Sequence, residues 1–264
     1  MTATAPATEE PPTLGQNRFA GVEWQVVVDV ADPARVEPRH LHAVTSVAIE
    51  QVSCDSSGQP PAHRAPDKGY AISPLWMGED GQTRFSLCTL SAGIQPPVRS
   101  QRATLGGQRA TLDWSGAVVS RALTMGDLQR LPAVLSVKVR FETPMTRRRG
   151  NDYFPSPHET SVLESWERLA GRVGLSDRVG WSKVPARFVH LAGETMQWSP
   201  PQRARAKSRR PIGFIGEAEL TVPADYGQRL HQLAVLATYG GTGAHTTYGM
   251  GFTTLLNVVE RGGA

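Results

Sequence analysis

Seven histidines punctuate the 264 residues, and histidine is the side chain that takes up and gives back a proton near neutral pH. Their spacing does not suit a metal. No His-x-x-x-His pair occurs, and no Cys/His or carboxylate/His cluster has ligand spacing, so neither metal nor cofactor is expected. His40 and His42 stand two apart at the start of a predicted helix. At about 100° per residue their rings diverge by about 200°, so the two are not expected to serve one site. The two cysteines, Cys54 and Cys88, fit no disulfide framework and no Cys-x-x-Cys site, which predicts reduced thiols in a cytoplasmic protein.

Arginine is the second chemistry-bearing residue. The net charge is only +4, from 28 Lys and Arg against 24 Asp and Glu, so its distribution matters more than its sum. Arg147, Arg148 and Arg149 form one run; Arg203, Arg205, Lys207, Arg209 and Arg210 form another. Guanidinium offers paired donors at fixed geometry, which suits phosphate. A solvated surface face is the favoured reading of one such run, whereas two runs in one small protein bring polyanion binding level with it. The third feature is Tyr239-Gly-Gly-Thr-Gly-Ala-His-Thr-Thr-Tyr-Gly-Met-Gly251, with five glycines between a predicted helix and a predicted strand. Gly240, Gly241 and Gly243 leave the main chain open, and such a loop can aim several N–H groups at phosphate oxygens. It lacks Gly-Lys-Ser/Thr and follows a helix, so it is no nucleotide fingerprint. A tight helix-to-strand connection remains the other reading.

The elements that position these residues run in a repeated order. Gly21 to Val30 alternates Val22, Trp24, Val26, Val28 and Val30 on one face of a strand. Pro38 suits a first helical turn, and Leu41, Val44, Ala48 and Val52 make the stripe of a helix over 39–52. Ser53 to Asp67 is a polar loop. Strands are predicted over Tyr70–Trp76 and Arg84–Leu90, a short helix within Ser91–Arg109, and a strand over Trp114–Leu123. The second half restarts with a strand over Val134–Phe141. Ser156-Pro157-His158-Glu159 reads as a capping box opening a helix that buries Val162, Leu163, Trp166, Leu169 and Ala170. Ala186–Leu191 and Ile212–Val222 are strands. Asp225 caps a helix over Tyr226–Tyr239 with Leu230, Leu233, Ala234 and Ala237 inward, and Gly251–Val259 is the last strand. Each half thus reads strand, helix, strand, strand, helix, strand. That order predicts an α+β fold of tandem ferredoxin-like (βαββαβ, RRM-like) domains. The expected boundaries are a flexible tail over 1–16, an N-terminal domain over 17–132 and a C-terminal domain over 133–264. The tail has no basic start followed by an apolar run, and no window approaches the ~18 apolar residues of a membrane span.

Gly213-Phe-Ile-Gly216, a helix, and the glycine segment together resemble the C-terminal signature of the CRISPR-associated RAMP-superfamily endoribonucleases, which excise guide RNAs from repeat transcripts. Phe141-Glu-Thr-Pro-Met145 with Arg147 to Gly150 and Pro155-Ser156-Pro157 resembles the segment opening that family's second domain. Ala71-Ile-Ser-Pro-Leu75 is similar to its "SPL" strand, and Leu41-His42-Ala43 to its first helix. The matches run in the family's order from Arg39 to Gly251. The resemblance implies CRISPR repeat RNA as partner, bound at the junction of two ferredoxin-like domains and on a basic face, with other subunits of a CRISPR effector complex as further partners.

It also implies roles for residues. RNA carries its own nucleophile, the 2′-hydroxyl beside the scissile phosphate. The protein must move its proton, protonate the departing 5′-oxygen and stabilise a dianionic phosphorane. His42 matches the family's helical histidine and is the expected general acid or base, with His40 two positions away. His245, in the glycine loop, is expected either to contact RNA or to bond the loop backbone. Some family members pair the histidine with a nearby tyrosine and lysine. Here the first helix offers only Arg39, while Lys68 and Tyr70 lie beyond the loop. Two other readings stand beside the nuclease: a RAMP subunit that holds repeat RNA uncut, and an unrelated basic α+β protein that binds a phosphorylated small molecule. The distance in sequence between the two arginine runs argues for a long ligand and against the last.

Overall fold

The first strand forms where apolar residues alternate, and it becomes the centre of a sheet. In the computed structural model, residues 19–52, 69–90, 99–149, 152–155, 158–175, 177–197, 212–244, 246 and 249–260 are described. Strand β1 (Phe19–Val30) pairs antiparallel on one side with β4 (Thr83–Leu90) and on the other with β6 (Gln108–Thr124). Helix α1 (Pro38–Val52) follows β1, with Pro38 at its first position as expected. The predicted strand over 70–76 is split into β2 (Tyr70–Ile72) and β3 (Trp76–Met77), both paired with β4. Pro74 has no N–H to extend the ladder between them. With β5 (Gln101–Leu105), the sheet order is β2-β4-β1-β6-β5.

One expectation is corrected here. The short helix predicted within 91–109 is replaced, over its described part, by the β5–β6 hairpin. Gly106 and Gly107, at φ +57° and +81°, supply the two positive φ values of a primed two-residue turn. Residues 91–98 lie outside the described part of the chain. After β6 a six-residue helix α2 (Met125–Arg130) is held by a capping box between Thr124 and Asp127.

The second half follows the expected order. Strand β7 (Val134–Met145) is central, flanked by β11 (Ile212–Thr221) and β12 (Thr253–Glu260), and β10 (Arg187–Gln197) lies outside β11. Between β7 and helix α3 (Glu159–Val173) a small hairpin forms from β8 (Arg147–Arg149) and β9 (Asp152–Phe154). Helix α3 begins at Glu159 with His158 as N-cap and no side-chain cap bond, a later start than the capping box predicts. Ser156 and Pro157 are outside the described residues. Asp225 sits in a 3₁₀ turn (Ala224–Tyr226), and α4 (Gly227–Gly240) starts after it without a side-chain cap.

Both halves therefore have the ferredoxin-like sheet order, with the first strand of each in the middle, and the tandem α+β architecture is as expected. The stripe predicted for α4 understates its burial. Leu230 to Ala234 and Leu236 to Gly240 are all buried, because the first sheet covers the side that the second leaves open. Gly21 of β1 lies against the Tyr239 ring, where a Cβ would come within 2.6 Å of the ring carbon, and Gly240 meets Leu90 as well as Leu169 of α3. One hydrophobic core accordingly joins Ala20, Cys88 and Leu90 of the first sheet to the second half. A smaller core lies under α1, with Leu41, Ala48 and Ile49 on Val26, Phe85 and Leu112. Among the described residues, no helix is long and apolar enough to cross a membrane.

Candidate functional site

Helix α1 brings two histidines to its first turns, and the fold treats them differently. His42 is 5% exposed, one position after the fully buried Leu41. Its Nδ1 shares a hydrogen bond of 3.3 Å with the Tyr70 hydroxyl, the donor depending on the tautomer, and the two rings stack with centroids 6.2 Å apart. Tyr70 opens β2, itself buried, so the sheet holds the phenol against the helix. This is the tyrosine that the sequence did not place. It lies 28 residues downstream of His42, across a loop outside the described residues that also contains Lys68. Arg39, one turn before His42, has its guanidinium 2.8 Å from the Glu37 carboxylate.

His40 is half-exposed, and its Nδ1 accepts a hydrogen bond from the Glu37 amide at 3.0 Å. Glu37 precedes the helix, so His40 is the third helical residue reaching back to the cap amide, the part Glu or Gln plays in a capping box. That bond needs an unprotonated Nδ1. Burial and then the Arg39 charge hold the His40 pKa below its ordinary 6.5, opposed by Glu37. A base whose folded pKa is depressed binds fewer protons folded than unfolded, so stability is lost as pH falls below 6.5. Acidifying from pH 7.5 to 5 should lower the melting temperature of the wild type more than that of His40→Gln, whose amide oxygen accepts the same bond without titrating. Equal shifts in thermal melts would remove His40 from the cap.

The glycine segment lies beside α1. Gly249, at φ +75°, packs on the helix start: a Cβ there would stand 2.5 Å from Pro38 Cβ. Several described amides of this segment are engaged within the protein. Gly241 donates to Ala237 O, Thr242 to Gly251 O, Gly243 to the Ser165 hydroxyl and Ala244 to Thr146 O, at 2.7 to 2.9 Å. Gly251 donates to Pro144 O at 3.0 Å. These bonds suit the tight helix-to-strand reading, and RNA contact by Gly240, Gly241 and Gly243 stays an expectation. The three glycines permit close approach to Leu169, Thr246 and Thr146. His245 lies outside the described residues.

The first arginine run forms the short strand β8. Arg147 donates to the Ser161 hydroxyl at 3.1 Å and stacks over Phe154, its guanidinium carbon 5.0 Å from the ring centroid. Arg148 and Arg149 share β8. The second run, Arg203, Arg205, Lys207, Arg209 and Arg210, is outside the described residues. The structure thus brings together His42, Tyr70 and the glycine segment. Among the described residues, no group of three His, Cys, Asp or Glu is placed to hold a metal ion.

Two ferredoxin-like sheets share a helix, with a histidine–tyrosine pair beside a glycine-rich segment, which is the tandem arrangement that the sequence predicts. Residues 139–253 match the family model of the CRISPR-associated endoribonuclease Cas6. A Cas6 product complex is similar with a TM-score of 0.68 at 18% identity, covering 90% of this chain and 100% of the other. A second Cas6 product complex gives 0.66 at 19%, with the same coverage. Thermus thermophilus Cas6 gives 0.59 at 19%, over 90% of this chain and 99% of that one. At these identities the likeness shows a shared fold. No curated relative matches the sequence. Over residues 139–253 the chain is similar to Cas6, and the resemblance read from its sequence is borne out.

Proposed function

We propose that this chain binds the repeat RNA of CRISPR transcripts and cuts it by attack of the RNA's own 2′-hydroxyl, with His42 transferring the proton. The carrying observation is the His42–Tyr70 pair at the start of α1, in a chain whose residues 139–253 match an endoribonuclease family. A hydrogen bond at one ring nitrogen orients the ring, which is what a proton-transfer histidine needs. Tyr70 is therefore a positioning residue. Arg39, one helical turn away and paired with Glu37, is the cation we assign to stabilising the phosphorane. The reaction needs no bound ion, because the nucleophile belongs to the substrate and both proton transfers suit imidazole.

The assay is cleavage of the protein's own repeat RNA in excess EDTA. Cleavage should persist and leave a 2′,3′-cyclic phosphate and a 5′-hydroxyl. A strict need for Mg²⁺, or 5′-phosphate products, would sink the mechanism. The 5% exposure of His42 favours a second reading in one respect. A buried imidazole reaches RNA only if the surface over it opens, and a chain in which it stays closed would hold repeat RNA uncut as a subunit of a larger complex. Tight binding without cleavage under all ionic conditions would select that reading.

A further inference from the structure

Helix α3 carries a polar stripe that the arginine runs of the sequence obscure. His158, Ser161, Ser165, Arg168 and Arg172 recur at steps of three and four, which places them along one side of the helix. Ser161 accepts from Arg147 and Ser165 accepts from the Gly243 amide, so this side runs along the glycine segment. Arg168 and Arg172 extend it into a recess shared with Gly69, Gly241 and Thr246. A Cβ on Gly69 would stand 3.0 Å from an Arg172 Nη1, so that guanidinium lies against the backbone one residue before Tyr70, the partner of His42.

The charge around Arg168 is only partly offset by its neighbours. Glu167, beside Arg168 in sequence, turns inward, where Arg229 and the Trp181 indole hold its carboxylate. Glu164 offsets Arg168 in part, and Arg178 adds a like charge. Both guanidiniums keep solvent access, yet nearby protein strips enough water to push their pKa values below the ordinary arginine range. A phosphate oxygen between them would replace that water and relieve the crowding of charge, and the planar fork is shaped for it.

We infer that Arg168 and Arg172 form a phosphodiester-binding site that seats the RNA backbone beside the His42–Tyr70 pair. This rests on the RNA-binding reading above. The test measures affinity for repeat RNA with a single 2′-deoxy sugar at the cut site across a range of salt. Arg168→Gln/Arg172→Gln should flatten the log–log slope by about 1.5 units, at ~0.7–0.9 for each phosphate no longer neutralised. A control, Arg35→Gln/Arg130→Gln, removes two arginines paired with Asp32 and Asp127 and should leave the slope unchanged. If the double variant fails to fold, the exposed Arg168→Gln alone should flatten the slope by about 0.7–0.9. Wild-type binding with an unchanged slope in the variants overturns the inference and leaves the function standing. A wild type that binds no repeat RNA overturns both.

Discussion

His42→Ala should slow single-turnover cleavage of repeat RNA by roughly 10²–10⁴-fold, the usual worth of a positioned general acid or base. RNA affinity should change little, because one neutral imidazole adds little to binding dominated by cations and phosphates. The substitution has a structural side. It removes a buried ring and leaves the buried Tyr70 hydroxyl without its imidazole bond, a loss of about 1–3 kcal/mol. Retained affinity therefore separates lost chemistry from lost fold. Tyr70→Phe keeps the ring that packs under α1 and removes only the hydroxyl. At about 1 kcal/mol for one hydrogen bond, its cleavage rate should fall about fivefold. A His42→Ala protein that binds and cuts at the wild-type rate would show that the imidazole takes no part. If His40→Ala were the severe variant instead, the proton-transfer residue would be the one this structure uses as a helix cap.

What the sequence made legible follows from which signals are local. The alternation of Val22, Val26 and Val28 marks β1, and Pro38 marks the start of α1, because each reports on its own few residues. The tandem order of elements is readable for the same reason. Gly106-Gly107 is an equally local signal for a hairpin, but it stands in a stretch whose other residues give no clear period. The glycine segment is a different case. Glycine spacing reports that the backbone passes close to something, and here that something is Thr146, Pro38 and Thr242 of the protein itself. Nothing in the spacing separates self-packing from ligand binding.

The site is less legible than the fold because its partners meet through the sheet. Tyr70 reaches His42 only after β2 pairs with β4 in the register Tyr70 to Thr89, which no window of sequence reports. Arg168 and Arg172 are inconspicuous in the sequence because two arginines on an amphipathic helix look like an ordinary solvated face. The readable signal is the three–four spacing from Ser161 through Arg172, which repeats the step of the helix. Runs of adjacent arginines are the more visible feature, yet Arg147 is taken up by Ser161 and Phe154. Clustering in sequence places like charges next to each other along the chain, whereas a helix places them together at every third and fourth residue.

The largest effect expected of any single change lies in the substrate. Replacing the one ribose at the cut site by its 2′-deoxy form should abolish cleavage, because the attacking oxygen is then absent and no other group is called on to replace it. Binding should be nearly unchanged, since the phosphates that dominate affinity are all still present. Moving the deoxy sugar by one position in either direction should restore cleavage, which separates loss of the nucleophile from a local change of sugar pucker. Cleavage of the deoxy substrate at the original bond would mean that an external water attacks. The products would then carry no cyclic phosphate, and the His42–Tyr70 pair would have to activate that water.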